Sequence, residues 1–100
     1  MQIVHPTSSS NTPSIASAAT ALAANTSRLG WQIQNLSTSP LFVLLGSGAS
    51  TTVFHQVLKA STLANDGNGG IMSQTSGVVY SGIITIAGTT PSYTVTEMAP

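Results

Sequence analysis

Residues 28–45 read RLGWQIQNLSTSPLFVLL. In the first half Leu29, Trp31 and Ile33 fall on one face while Arg28, Gly30, Gln32 and Gln34 fall on the other, the period of two that marks a half-buried strand. Ser37, Thr38, Ser39 and Pro40 then predict a turn, because hydroxyls bond the local backbone and proline keeps the residue before it out of the helical region. The second half, Leu41, Phe42, Val43, Leu44 and Leu45, is apolar on both faces and too short for a helix or a membrane span, so it predicts a strand covered on both sides. Together the two halves predict a hairpin, closed by the turn at 46–50, as the nucleus of an all-β domain.

Outward from this hairpin, 52–58 is rich in β-branched and aromatic residues and predicts a strand that ends at 59–62. Residues 64–70, with three glycines and two asparagines, predict a loop. Residues 78–80, 82–87 and 92–97 predict the closing strands, with the last turn at 88–91. Short strands separated by turn signals every 8–12 residues or so imply paired sheets. The expected fold is a small antiparallel β-sandwich over 14–100, jelly-roll-like or Ig-like, with an extended N-terminal arm over 1–13. Within that arm only Ile3 and Val4 are apolar enough to bury, and Pro6 and Pro13 oppose regular structure. Residues 14–24 leave two readings open. Alanine, leucine and a capping Ser14 favour helix, whereas Ile15, Ala16, Ala18, Thr20 and Leu22 also suit a strand, turned at 25–27 into the Arg28 strand as a hairpin would be.

A chain of 100 residues makes one domain that hides a smaller fraction of its surface than a larger protein does. It has no cysteine, so oligomerisation is the stabilising device left to it. The charged side chains are Arg28, Lys59, Asp66 and Glu97, 4% of the chain against the roughly one-quarter usual in a soluble domain. Nucleic acid is excluded as a partner, since that affinity comes largely from cations on phosphates. Nearly three residues in ten are serine or threonine, a surface that meets another without desolvating ions. No basic start or long apolar run suggests a leader or a membrane segment, so the expected setting is a cytoplasm, or release with something larger.

The same scarcity limits chemistry. His5, His55, Asp66 and Glu97 are scattered, without metal-ligand spacing. Residues 66–70, DGNGG, start like a calcium loop but lack the further acids, and no lysine or helix follows to hold a phosphate. Residues 46–50, GSGAS, place glycine where a nucleophile elbow needs serine. No catalytic residue, cofactor or metal is expected, and the chain is read as a non-enzyme. Trp31 beside Leu29 and Ile33 reads as a core or subunit-interface residue sooner than a sugar platform, and Ile33, Phe42, Val43 and Phe54 are grouped with it. Arg28 either bridges planar acceptors such as Glu97 or backbone carbonyls, or ends its strand in solvent.

Residues 23–28 (AANTSR), 33–35 (IQN), 40–43 (PLFV), 45–50 (LGSGAS), 80–84 (YSGII) and 93–97 (YTVTE), in that order and spacing, resemble a pattern of small β-rich structural proteins of tailed bacteriophages. The resemblance spans about 21–97 and tips 14–24 towards strand. It implies a virion component: a capsid decoration (cement) protein bound across major capsid subunits, self-associated as a homotrimer or dimer, with Arg28, Asn35 and Glu97 as structural polar residues. Ile3, Val4, His5 and Pro6 of the arm are then expected to reach a neighbour's sheet edge. The other roles it implies are a head-fibre or tail-tip module reading a receptor or glycan through 66–70, and a tail or neck connector.

Overall fold

A computed structural model describes residues 5–9 and 17–100. They form eight strands: β1 (His5–Ser9), β2 (Ala18–Leu22), β3 (Gly30–Asn35), β4 (Leu41–Leu45), β5 (Gln56–Leu58), β6 (Ile71–Gln74), β7 (Ile84–Gly88) and β8 (Tyr93–Ala99). One sheet has the order β1-β8-β3-β6 and the other β2-β7-β4-β5, and every neighbouring pair is antiparallel. The pairs β1·β8, β2·β7, β3·β6 and β4·β5 nest inside one another, as in a long ribbon folded back between β4 and β5 and rolled into two layers. That topology is a jelly roll, the first of the two sandwiches expected.

The central expectation changes in its connectivity. The strands at 28–45 exist, but β3 and β4 lie in different sheets and make no hairpin with each other. Trp31 and Ile33 from β3 and Leu41 and Val43 from β4 are fully buried in one core, so the two strands supply opposite walls of it. The link between them is a corner and not a tight turn, because Asn35 folds its side chain into it. Asn35 Oδ1 accepts from the Ser37 N–H (2.9 Å) and hydroxyl (2.6 Å), and Nδ2 donates to the Ser39 carbonyl (2.9 Å). For the same reason of layer crossing, 25–27 is no hairpin turn: β2 pairs with β7, with a register shift after Thr20.

Four further expectations shift. Only Gln56–Leu58 of the 52–58 stretch is strand, since Ser50 Oγ accepts the N–H groups of Thr52 (3.2 Å) and Val53 (2.9 Å) and curls that segment. Residues 78–80 are not strand; the Tyr80 N–H donates to Gln74 Oε1 (2.9 Å), tying the segment to the end of β6. β6 itself stands where no strand was expected. Finally, 5–9 is not a free arm. It pairs with β8 of its own chain, from His5 opposite Ala99 to Ser9 opposite Val95, and an edge position tolerates Pro6, whose missing N–H can face outward. Ile3, Val4 and the rest of the expected arm lie outside the described residues.

The core joins Trp31, Ile33, Leu41, Val43, Leu58, Ile84, Ile86, Tyr93 and Val95. Each faces inward at alternate positions of its strand, so the intervening residues set the character of the two outer faces.

Candidate interaction surface

The buried polar side chains are consumed in holding this framework. Arg28, whose side chain is fully buried, donates Nε to Glu97 Oε2 (2.8 Å), Nη1 to the carbonyls of Tyr80 (3.0 Å) and Gly82 (2.9 Å), and Nη2 to the Ala23 carbonyl (2.6 Å). It therefore bridges Glu97 and carbonyls together, and pins the loops that enter β3 and β7 onto β8. Trp31 Nε1 donates to Gln74 Oε1 (2.9 Å), fixing the tryptophan as a core residue. Asn35 reaches further than its own corner: Nδ2 also lies within bonding distance of the Leu58 (3.2 Å) and Lys59 (3.1 Å) carbonyls.

The glycine loop is held in the same way. Gly70 N–H donates to the Lys59 carbonyl (2.8 Å) and Asn35 N–H to the Gly70 carbonyl (2.9 Å), and a Cβ at Gly69 would sit 1.7 Å from the Asn35 carbonyl oxygen, so only glycine fits. Asp66 accepts the N–H groups of Leu63 (2.7 Å) and Asn68 (2.8 Å). Those bonds, Leu63's first, hold its carboxyl below the ordinary value of 3.8. A depressed carboxyl stabilises the folded loop above that ordinary value and loses the contribution as pH falls through the lower, folded one. The amide resonances of Leu63 and Asn68 are expected to titrate below pH 3.8; a midpoint at or above it would contradict these bonds.

Among the described residues no three His, Cys, Asp or Glu side chains group together. His55 is exposed, and its Nδ1 accepts the Leu45 N–H (3.0 Å) at the edge of the second sheet.

What the surface does offer is apolar area. On β4, Phe42 and Leu44 alternate with the buried Leu41 and Val43 and so point to the outer face of the second sheet, where they are only half-covered. The stretch was expected to be covered on both sides; the chain itself covers one side fully. Next to them, every residue from 51 to 57 is exposed, including Val53, Phe54 and Val57 at 52, 39 and 43%. Phe54 leans on Phe42 with ring centroids 5.0 Å apart and planes tilted by 57°, and Val57 is the register partner of Phe42. Phe42, Leu44, Phe54 and Val57 thus make one apolar, ion-free face. The first sheet's outer face is different: Gln32, Gln34, Ser73, Thr94 and Thr96 alternate with its core residues and leave amides and hydroxyls outward, with the exposed Ile71 beside them as the register partner of Gln34. Of the residues grouped as core or interface, Trp31, Ile33 and Val43 are core, and Phe42 and Phe54 belong to this outer face. Leu44 and Val57 were missed, because alternation shows that a residue faces away from the core but not that nothing lies over it.

Comparison of the chain with protein-family models, with curated proteins and with solved structures finds no match in any of the three.

Proposed function

We propose that the protein is a non-catalytic structural component of a virion, a capsid decoration (cement) protein that lies across major capsid subunits and clamps them. The observation that carries this reading is the half-covered apolar face of Phe42, Leu44, Phe54 and Val57 on a chain with four charged side chains. Apolar patches rimmed by polar residues mark binding surfaces. Burying one yields roughly 25 cal/mol per Å², with no ion to desolvate on this side. Repetition of a modest contact around a shell gives lasting attachment through avidity. The hydroxyl- and amide-bearing face of the first sheet suits the outward, wetted side. Jelly rolls also serve lectins and cupins, so the argument rests on the face and not on the topology.

The test is co-sedimentation with purified heads of the parent particle from which the protein has been stripped. The double variant F54S/V57S is expected to keep its stability within about 1 kcal/mol, since both side chains are exposed, while occupancy on heads falls about tenfold or more. Occupancy equal to that of the unaltered protein would contradict the assignment.

A further inference from the structure

Of the asparagines in the chain only Asn68 is followed by glycine; Asn11 and Asn25 precede threonine, Asn35 leucine and Asn65 aspartate. A backbone nitrogen can attack the carboxamide of the asparagine before it, and glycine, with no Cβ to obstruct the ring that forms, allows this most readily. The Asn68 side chain is exposed to the water that the reaction needs. Gly69 is buried, its Cα packed so closely on the Asn35 carbonyl that no Cβ fits. The fold holds both reacting groups in place. Asn68 donates its N–H to Asp66 Oδ1 (2.8 Å) and its Nδ2 to Asp66 Oδ2 (3.3 Å), which keeps the carboxamide on the Asp66 side. Beyond Gly69, the Gly70 N–H donates to the Lys59 carbonyl, the Asn35 N–H donates to the Gly70 carbonyl, and Gln34 Nε2 donates to the Gly69 carbonyl (3.4 Å). Ring closure has to rotate the backbone between 68 and 69, and these bonds oppose the rotation.

We infer that Asn68 is a site of slow deamidation, protected while the Asn35 corner is closed and modified when the corner opens. In the open loop the Gly69 nitrogen loses its proton to water and bonds to Asn68 Cγ. The Cγ–Nδ2 bond breaks, the departing nitrogen takes a proton back from water and leaves as ammonia, and a succinimide ring remains. Water then opens the ring. Attack at Cγ gives aspartate; attack at the backbone carbonyl carbon gives isoaspartate, whose main chain runs through Cβ and Cγ and is one methylene longer. That extra length falls beside Gly69, where not even a methyl has room, so the modified corner does not reclose as before. The step is one-way, and its rate follows how often the corner opens. It depends on the loop alone and holds or fails independently of attachment to a shell.

The experiment incubates the full chain in warm, mildly alkaline buffer, folded and in urea, and follows residue 68 by peptide mapping with mass spectrometry and enzymatic methylation of isoaspartate. The folded chain is expected to be modified at least about tenfold more slowly than the unfolded one. Equal rates would overturn the inference, and so would an unfolded chain that keeps its Asn68 amide. Asn35→Ala, which loosens the corner, is expected to speed the folded-state reaction about tenfold; a folded Asn35→Ala chain that reacts no faster counts against the protection. The consequence is read on unaltered protein after modification. Its isoaspartyl fraction is expected to melt below N68D, which carries the new charge without the extra methylene, and coincident melting would overturn the account. N68S, which keeps Asp66 and Gly67, is expected to gain no isoaspartate in the loop; gain at the unaltered rate would place the chemistry at Asp66 and overturn the assignment to Asn68.

Discussion

Replacing Arg28 by methionine is expected to destabilise the fold by about 3–5 kcal/mol, the cost of removing one member of a buried ion pair. The side chain is wholly enclosed, and its loss leaves the Glu97 carboxylate, which also accepts from Asn25 Nδ2 (3.3 Å), without its buried cation and takes away the donors to the carbonyls of Ala23, Tyr80 and Gly82. In a small domain that loss is a large share of a stability of about 5–15 kcal/mol in all. R28K is expected to recover only part of it. An ammonium keeps the charge, but three donors on one nitrogen cannot reach acceptors that the planar fork spans from both sides. Pairing R28M with E97Q should restore some of the deficit by removing the uncompensated charge, and this distinguishes the ion pair from simple loss of packing. Urea unfolding, with the midpoint converted through an unchanged slope, reads all three variants. A change below about 1 kcal/mol for R28M, the range of exposed pairs, would show that the arginine is solvated instead.

The Asn35 corner carries the second large effect. Asn35→Ala removes the acceptor of the Ser37 N–H and hydroxyl and the donor to Ser39, Leu58 and Lys59 at a position with no exposure. Buried groups left unpaired cost about 1–3 kcal/mol each, partly relieved by relaxation, so a loss of about 2–4 kcal/mol is expected. Asn35→Asp should be no rescue although it is isosteric, because a carboxylate offers nothing to the three carbonyls that the amide faces. Gly69→Ala attacks the same corner from the other side, since its methyl would overlap the Asn35 carbonyl oxygen, and it is expected to match or exceed Asn35→Ala. Thermal unfolding of the three variants checks this. If Gly69→Ala melts with the unaltered protein, the junction does not have this packing.

Both effects also explain how far the fold could be read from the chain. Strand existence was legible where apolar residues alternate or run unbroken: Trp31 and Ile33, Leu41 to Leu45, Ile84 and Ile86, Tyr93 and Val95 all lie in strands with their expected inward residues buried. Pairing was not legible. Alternation says which side of a strand is buried but not whether its neighbour in sequence sits beside it or across the core, and a Ser-Thr-Ser-Pro segment serves a hairpin or a layer crossing equally well. Asn35 decides between them, and a lone asparagine at a strand end has no distinctive pattern. β6 escaped notice because four residues, Ile71 to Gln74, sit between a glycine run and another turn, too few to show a period.

The candidate surfaces were harder still. Arg28 left a bridge and a solvated strand end equally open in the sequence, and the structure decides for the bridge, to Glu97 and three carbonyls. Phe42 and Phe54 were placed as core or interface, and only the three-dimensional arrangement separates them from Val43, one residue away from Phe42. Gly70 brings the start of β6 against the residues that follow β5, its N–H donating to the Lys59 carbonyl, a contact that no spacing in the chain announces.

The claim at the centre is that this protein acts by being covered: an ion-poor sandwich presents an apolar face to a shell. Imaging of parent particles in which the protein carries a compact label tests that most directly. The expected result is label repeated over the head at positions that follow the shell's symmetry, with F54S/V57S leaving the same positions bare. Label confined to one vertex or to the tail, or absent from particles altogether, would contradict it.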